Sequence, residues 1–110
     1  MMISEYIGGT TEEFVNMMNK RAKELGLTET NFKNPHGLDE ENHYSSAHDM
    51  ALIGKELVKH KKVLEYTGIY EDYLRKGTPK EFWLVNTNKL VRFFKGVDGL
   101  KTGYTSTAGY

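Results

Sequence analysis

The 110 residues suit a single domain with one modest core, and an apolar share of 38% argues against disorder over the whole chain. Fifteen basic residues balance fifteen acidic ones, so the formal net charge of zero argues against a nucleic-acid-binding protein. The absence of cysteine excludes a disulfide scaffold and any zinc site with cysteine ligands.

The N-terminal part of the chain carries helix signals. Residues 1–7 are predicted to be the last part of a helix that began upstream. The Gly-Gly pair that follows is predicted to end this helix. Thr10 is a typical N-cap and Glu13 follows at the capping-box spacing, so a second helix is predicted to start there. Gly26 is predicted to end that helix in a left-handed conformation. The expected apolar face comprises Phe14, Met17, Met18, Ala22 and Leu25.

A less regular segment and a third helix are predicted next. Residues 27–32 look extended, and residues 34–38 (Asn-Pro-His-Gly-Leu) are predicted to form a turn. A helix is predicted to start at Ser45 or Ser46, and a short helical turn is expected over residues 63–66. The buried face expected for the third helix comprises Ala47, Met50, Ala51, Gly54, Leu57 and Val58.

The last 40 or so residues show the pattern of strands. Residues 69–75 and 81–85 are rich in aromatic and branched residues around a Gly-Thr-Pro stretch, which predicts a β-hairpin. Residues 86–94 are compatible with a short helix, residues 96–99 with a turn, and residues 100–105 with a strand. The aromatic residues interpreted here as packing residues rather than as a ligand platform are Phe82, Trp83, Phe93 and Phe94.

The stretch with a chemical signature is Lys101-Thr102-Gly103, on the last predicted strand. The ammonium of Lys101 can attract a carboxylate, and the hydroxyl of Thr102 can donate a hydrogen bond to it. Gly103 has no side chain, so an extended substrate can approach the backbone there. Alone, such a triplet can occur by chance as an ordinary exposed lysine on a strand; its position after a Gly-Asp-Gly type turn and on a predicted strand favours a site for a peptide that carries a carboxylate.

Residues 96–110 resemble the corresponding segment of the D-alanyl-D-alanine carboxypeptidases, which belong to the penicillin-recognising serine peptidases. Four other blocks resemble the same family in the same order: residues 6–26, 34–38, 44–51 and 86–90. The resemblance therefore covers nearly the whole chain.

This resemblance implies an α+β fold, namely a helix-rich fragment of the penicillin-binding-protein/β-lactamase-like fold with a β-hairpin and the Lys-Thr-Gly strand. It implies part of a helical subdomain over residues 1–68 and part of a sheet subdomain over residues 69–110, in one incomplete domain. It implies substrate-binding roles for Lys101, Thr102 and Gly103, with no cofactor and no metal. The histidines near Asp and Glu match no zinc signature.

Two serine motifs of the family are absent from the chain. The family nucleophile is the Ser of Ser-x-x-Lys, and the second motif is Ser-x-Asn; neither is formed by Ser4, Ser45, Ser46 or Ser106. The resemblance places both motifs upstream of Met1, so the isolated chain is expected to be catalytically inactive. Intact relatives remove the terminal D-Ala of a peptidoglycan stem peptide through an acyl-enzyme, and penicillin traps them.

The resemblance also implies partners and a location. The intact parent is expected to bind peptidoglycan stem peptides and β-lactams, but no nucleic acid. It is expected to be extracytoplasmic and membrane-associated, whereas this chain carries no signal or anchor. A homodimer of the fragment through exposed strand edges is a further hypothesis. Two alternatives stay open: a non-catalytic module that binds stem peptides, and a serine β-lactamase fragment, although the Glu-x-x-Leu-Asn loop of class A β-lactamases is absent.

Overall fold

The structure, a computed structural model, describes residues 1–109 and contains five helices and one two-stranded sheet in that range. The described chain divides into two units: residues 1–56 with 105–109 form the first, and residues 57–104 form the second. Within residues 1–109, no helix is both long enough and apolar enough to cross a membrane. The elements in chain order are α1 (Met2–Gly8), α2 (Thr11–Glu24), α3 (Ala47–Leu57), α4 (Lys61–Thr67), β1 (Glu71–Leu74), β2 (Phe82–Val85) and α5 (Leu90–Phe93).

Local hydrogen bonds set both ends of α2. The Thr10 hydroxyl accepts a hydrogen bond from the backbone N–H of Glu13 at 3.1 Å, and it donates to the Glu13 carboxylate at 3.0 Å. At the other end, Gly26 has a φ of 74°. The predicted N-cap and the predicted glycine stop are therefore confirmed.

The core of the first unit lies beneath α2. Ala22 and Leu27 are buried, with 3% and 6% of their surface exposed. The predicted apolar face of α2 points towards this core, although Met17 remains 48% exposed. An open apolar hollow of about 320 Å³ is lined by Phe14, Met17, Met18, Arg21, Ala22, Leu25, Leu27, Phe32 and Ile53.

Side-chain amides hold the segment between α2 and α3. The Asn19 amide makes two hydrogen bonds of 2.8 Å to the backbone of Phe32, one to its carbonyl and one from its N–H. In the predicted turn, the buried Asn34 accepts a hydrogen bond of 2.8 Å from the N–H of Gly37, whose φ is 79°. The turn at residues 34–38 is therefore confirmed.

The start of α3 is confirmed, but its predicted buried face is wrong. The Ser46 hydroxyl accepts a hydrogen bond of 3.2 Å from the N–H of Asp49, as expected of an N-cap. On the predicted buried face, Met50, Leu57 and Val58 are 53%, 37% and 41% exposed. Apolar spacing indicates which face can be buried, but a face becomes buried only where another element covers it. The fully or partly covered side chains of α3 are Asp49, Leu52, Ile53 and Glu56.

The hairpin of the second unit is confirmed. β1 and β2 pair in antiparallel register, with Tyr73 opposite Trp83 and Leu74 opposite Phe82. Helices α4 and α5 confirm the predicted helical turn before the hairpin and the short helix after it.

Two expectations for the second unit are wrong. Residues 100–104 lie outside any strand, and Thr105 makes only an isolated bridge with Gly109. A strand needs a neighbour to bond its N–H and C=O groups, and within residues 1–109 no other strand lies beside this segment. The predicted Lys-Thr-Gly strand is therefore not formed within residues 1–109.

The aromatic residues expected to pack are instead at the surface. Phe82 and Trp83 are 56% and 57% exposed, and Phe93 and Phe94 are 71% and 65% exposed. Both strands of the hairpin are exposed along their whole length, because a two-stranded ribbon by itself covers neither of its faces.

Candidate substrate-carboxylate site

The three residues predicted to bind substrate lie together on the surface of the second unit. Lys101, Thr102 and Gly103 are all exposed and belong to the irregular segment after α5. The Lys101 ammonium donates a hydrogen bond to the backbone carbonyl of Thr102. Within the part of the chain that the structure describes, Lys101 forms no ion pair with a carboxylate. Its charge is therefore not neutralised by an acidic side chain there.

Two asparagines connect the segment after β2 to its surroundings. The Asn86 amide donates to the carbonyls of Thr67 and Ile69 at 3.0 and 2.9 Å. The Asn88 amide donates to the carbonyl of Gly99 at 2.9 Å, two residues before the triplet. A primary amide has two N–H donors and one C=O acceptor, so it can bind loop backbone that no strand satisfies. These hydrogen bonds thus hold the backbone segments that lead to the triplet.

The turn before the triplet passes close to the C-terminal end of α4. The Thr67 hydroxyl donates to the carbonyl of Asp98 at 2.6 Å. Gly99 has a φ of 140°, and a Cβ atom there would lie 2.6 Å from the Cβ of Thr67. Only glycine satisfies both the backbone conformation and this close approach.

Thr87 contacts the triplet directly. Its hydroxyl lies 2.6 Å from the hydroxyl of Thr102, which is hydrogen-bonding distance. One hydroxyl donates to the other, so Thr87 restricts the direction in which the Thr102 hydroxyl points. The amino-acid pattern did not predict the contact of residues 86–88 with the triplet; the available signal there is the Asn-Thr-Asn composition.

A buried carboxylate in the first unit has a structural role. Asp49 is 0% exposed and accepts hydrogen bonds from the Thr30 hydroxyl at 2.7 Å and from the N–H of Glu29 at 2.8 Å. The Nδ1 atom of His48 lies 3.3 Å from Oδ1 of Asp49. The hydrogen bond from Thr30 holds the pKa of Asp49 below its ordinary value, against the opposing effect of burial. Asp49 thus joins the loop after α2 to the first turn of α3.

Hydroxyl groups surround a second carboxylate of the first unit. The hydrogen bond from the Thr105 side chain has the largest effect and lowers the pKa of Asp39 below its ordinary value. Hydrogen bonds from Thr107 and Ser106 lower this pKa further. Across the described residues 1–109, no three His, Asp or Glu side chains are arranged to hold a metal ion.

Comparison with known proteins decides the family. A family model described as D-alanyl-D-alanine carboxypeptidase matches residues 1–110. The chain belongs to this family. It is 62% identical over 108 residues to the D-alanyl-D-alanine carboxypeptidase DacF of Bacillus subtilis. The aligned region covers 98% of this chain and 28% of DacF.

Solved structures of penicillin-binding proteins are similar to this carboxypeptidase-family chain. Penicillin-binding protein 5 from Haemophilus influenzae matches with a TM-score of 0.84 and 39% identity, over 98% of this chain and 30% of that one. Penicillin-binding protein D2 from Listeria monocytogenes, in an ampicillin-bound form, matches with a TM-score of 0.74 and 37% identity, over 89% of this chain and 40% of that one. The predicted family and the predicted mixed helix-and-strand fold of the penicillin-binding proteins are confirmed.

This chain is short relative to these proteins. It spans about 28% of the length of the Bacillus subtilis relative and 30% of the Haemophilus influenzae structure. Most of the length of those relatives therefore lies outside the matched segment.

Proposed function

We propose that this chain is a segment of a penicillin-sensitive, serine-type D-alanyl-D-alanine carboxypeptidase that acts on peptidoglycan stem peptides. The observation that carries the proposal is the family match over residues 1–110, together with the exposed Lys101-Thr102-Gly103 triplet in that segment. In the complete protein, residues 1–68 belong to the helical subdomain and residues 69–110 to the sheet subdomain. The complete protein is extracytoplasmic and membrane-associated.

Within that protein, the triplet binds the terminal carboxylate of the substrate. Lys101 supplies positive charge that no acidic side chain neutralises within residues 1–109. Thr102 supplies a hydroxyl that the Thr87 hydroxyl orients at 2.6 Å. Gly103 leaves the backbone open to an extended peptide, since nothing lies within 4 Å of the position where its Cβ would be. The acylated serine comes from a Ser-x-x-Lys motif that this sequence lacks.

A chimera tests the role of the triplet. Residues 1–110 would replace the matching segment of the Bacillus subtilis relative, with which the chain shares 62% identity. The chimera is expected to release D-Ala from a D-Ala-D-Ala peptide, and Lys101→Ala is expected to lower kcat/KM by about 10- to 100-fold, the effect of losing one charge-assisted hydrogen bond. Release of D-Ala is measured with a coupled assay.

The matched control for this experiment is Lys95→Ala, which removes an exposed lysine of the same unit outside the triplet. Its activity should equal that of the unsubstituted chimera. Equal activities of the Lys101→Ala and Lys95→Ala chimeras would contradict the assignment of the triplet. A different result would favour a non-catalytic binding module: the chimera has no activity, but the isolated chain binds a D-Ala-D-Ala peptide saturably.

The isolated chain is expected to form a homodimer through its hairpin. Within residues 1–109, β1 and β2 pair only with each other, so each strand has one unpaired edge. Light scattering at increasing concentration should show a rising mass, and Leu84→Lys, at a position 44% exposed on β2, should shift the chain towards the monomer. A constant monomer mass at high concentration would contradict the dimer.

A further inference from the structure

The turn at the tip of the hairpin carries more basic than acidic residues. The turn between β1 and β2 carries Arg75, Lys76 and Lys80, all exposed. Among the described residues, none of these three side chains forms an ion pair with a carboxylate. The one nearby acid on the turn, Glu81, is engaged internally, since its carboxylate accepts a hydrogen bond of 2.6 Å from the N–H of Gly77. Because the Glu81 carboxylate keeps its negative charge in that hydrogen bond, the tip carries three positive charges against one negative charge.

Apolar and aromatic side chains lie directly behind these charges on both faces of the ribbon. Because opposite residues of an antiparallel pair share a face, Tyr73 and Trp83 lie on one face and Leu74 and Phe82 on the other. All four are between 42% and 57% exposed. The Lys76 ammonium lies 5.6 Å from the centroid of the Tyr73 ring, so charge and ring form one surface. The tip thus offers both positive charge and exposed rings to a ligand.

The neutral total charge of the chain hides an uneven distribution. Residues 57–104 contain ten Lys and Arg against five Asp and Glu, whereas residues 1–56 contain five against ten. The unit that holds the hairpin and the triplet therefore has a net charge of +5. A net excess of one sign of charge raises the local concentration of a polymer of the opposite sign.

From these features we infer that the hairpin tip, defined as residues 73–83, is a second binding site for peptidoglycan as a polymer, separate from the triplet. This inference rests on the proposed function, because it assigns the site to the substrate of that reaction. Arg75, Lys76 and Lys80 bind free carboxylates of stem peptides, and the rings of Tyr73 and Trp83 pack against the apolar faces of sugar rings.

The position of the tip fits a polymeric ligand that also reaches the triplet. Thr87, which contacts Thr102, is eight residues along the chain from Pro79 at the tip. At the rise of an extended strand, those residues span at most about 26 Å. A polymer with repeated sugars and stem peptides can occupy both places at once. A ligand with both anionic groups and apolar ring faces also explains why the cations and the exposed rings occur together.

Co-sedimentation of the 110-residue chain with insoluble peptidoglycan, freed of attached phosphate polymers, tests the second site. Arg75→Glu/Lys76→Glu/Lys80→Glu is expected to weaken binding by about tenfold or more, since each exposed pair contributes a modest amount. The milder Arg75→Gln/Lys76→Gln/Lys80→Gln is expected to weaken it by about fivefold. Circular dichroism verifies that both variants fold. Trp83 is the only tryptophan of the chain, so a soluble disaccharide-peptide should also change its fluorescence.

The matched control is Lys20→Glu/Lys23→Glu/Lys33→Glu, which changes the total charge equally but at exposed positions of the other unit. It should bind peptidoglycan as the unsubstituted chain does. An equal loss of peptidoglycan binding in this control and in the hairpin Glu variant would overturn the proposal. Binding that needs the attached phosphate polymer would overturn it too, and so would equal binding to vesicles that contain phosphatidylglycerol. Lys101→Ala in the chimera tests the reaction separately, so failure of the second site and failure of the proposed function give different results.

Discussion

Incubation of the isolated 110-residue chain with a fluorescent penicillin is expected to leave no covalent label. Acylation needs a hydroxyl activated by a neighbouring base and donors around the attacked carbonyl. None of the four serines is followed by Lys at the third position, and none is followed by Asn at the second. Lys101 and Thr102 can bind a carboxylate, but they provide no nucleophile of the required kind. Gel fluorescence is therefore expected to show no labelled band for the isolated chain.

The positive control for labelling is the chimera with the Bacillus subtilis relative, in which the rest of the polypeptide comes from a D-alanyl-D-alanine carboxypeptidase. It should give a labelled band that excess unlabelled penicillin abolishes. A band of the same intensity from the isolated chain would show that a hydroxyl within residues 1–110 is acylated, and the prediction would be wrong.

Replacement of Asp49 is expected to lower the stability of the first unit substantially. Its carboxylate is fully buried and accepts hydrogen bonds from the Thr30 hydroxyl and the Glu29 N–H, at 2.7 and 2.8 Å. Asp49→Ala leaves both donors without that acceptor and is expected to lower Tm by about 10 °C. Asp39→Ala, at an exposed carboxylate, is the matched control and should lower Tm much less.

The same carboxylate makes stability depend on pH in a defined direction. Hydrogen bonding, chiefly from Thr30, holds the pKa of Asp49 in the folded protein below the ordinary value of 3.8. A lowered folded pKa means that its contribution is fully present well above pH 3.8 and is lost as the pH falls through 3.8 and then through the folded pKa. Tm measured from pH 6 to pH 3 should therefore fall less steeply for Asp49→Asn than for the unsubstituted chain. Parallel curves would contradict this assignment.

The elements predicted correctly are those defined by contacts between near neighbours in sequence. The cap of α2 depends on Thr10 and Glu13, three residues apart, and the turn at residues 34–38 depends on Asn34 and Gly37 at the same spacing. The hairpin also joins segments that are close in sequence. Such contacts need only the right residue types at the right spacing, so the sequence contains the information to predict them.

The predictions that were wrong all required a distant partner. The strand expected at residues 100–105 needs a neighbouring strand, the expected face of α3 needs a covering element, and Phe82 and Trp83 need a surface to pack against. Residue pattern indicates only that a segment can pair or be buried. Whether it does depends on which other elements lie beside it.

By itself, then, the amino-acid sequence determined the family, the order of helices and hairpin, and the three residues proposed to bind a carboxylate, because each is encoded in local spacing or in short motifs. The tertiary structure alone decided that Thr87 contacts Thr102, that Asn88 binds the backbone at Gly99, and that Asp49 is buried. It also decided that the hairpin exposes its rings beside Arg75, Lys76 and Lys80, none of which forms an ion pair with a carboxylate within residues 1–109. Hydrogen bonds between residues 11 to 20 positions apart and the exposure of a side chain depend on how the chain folds back on itself, and no local pattern specifies that.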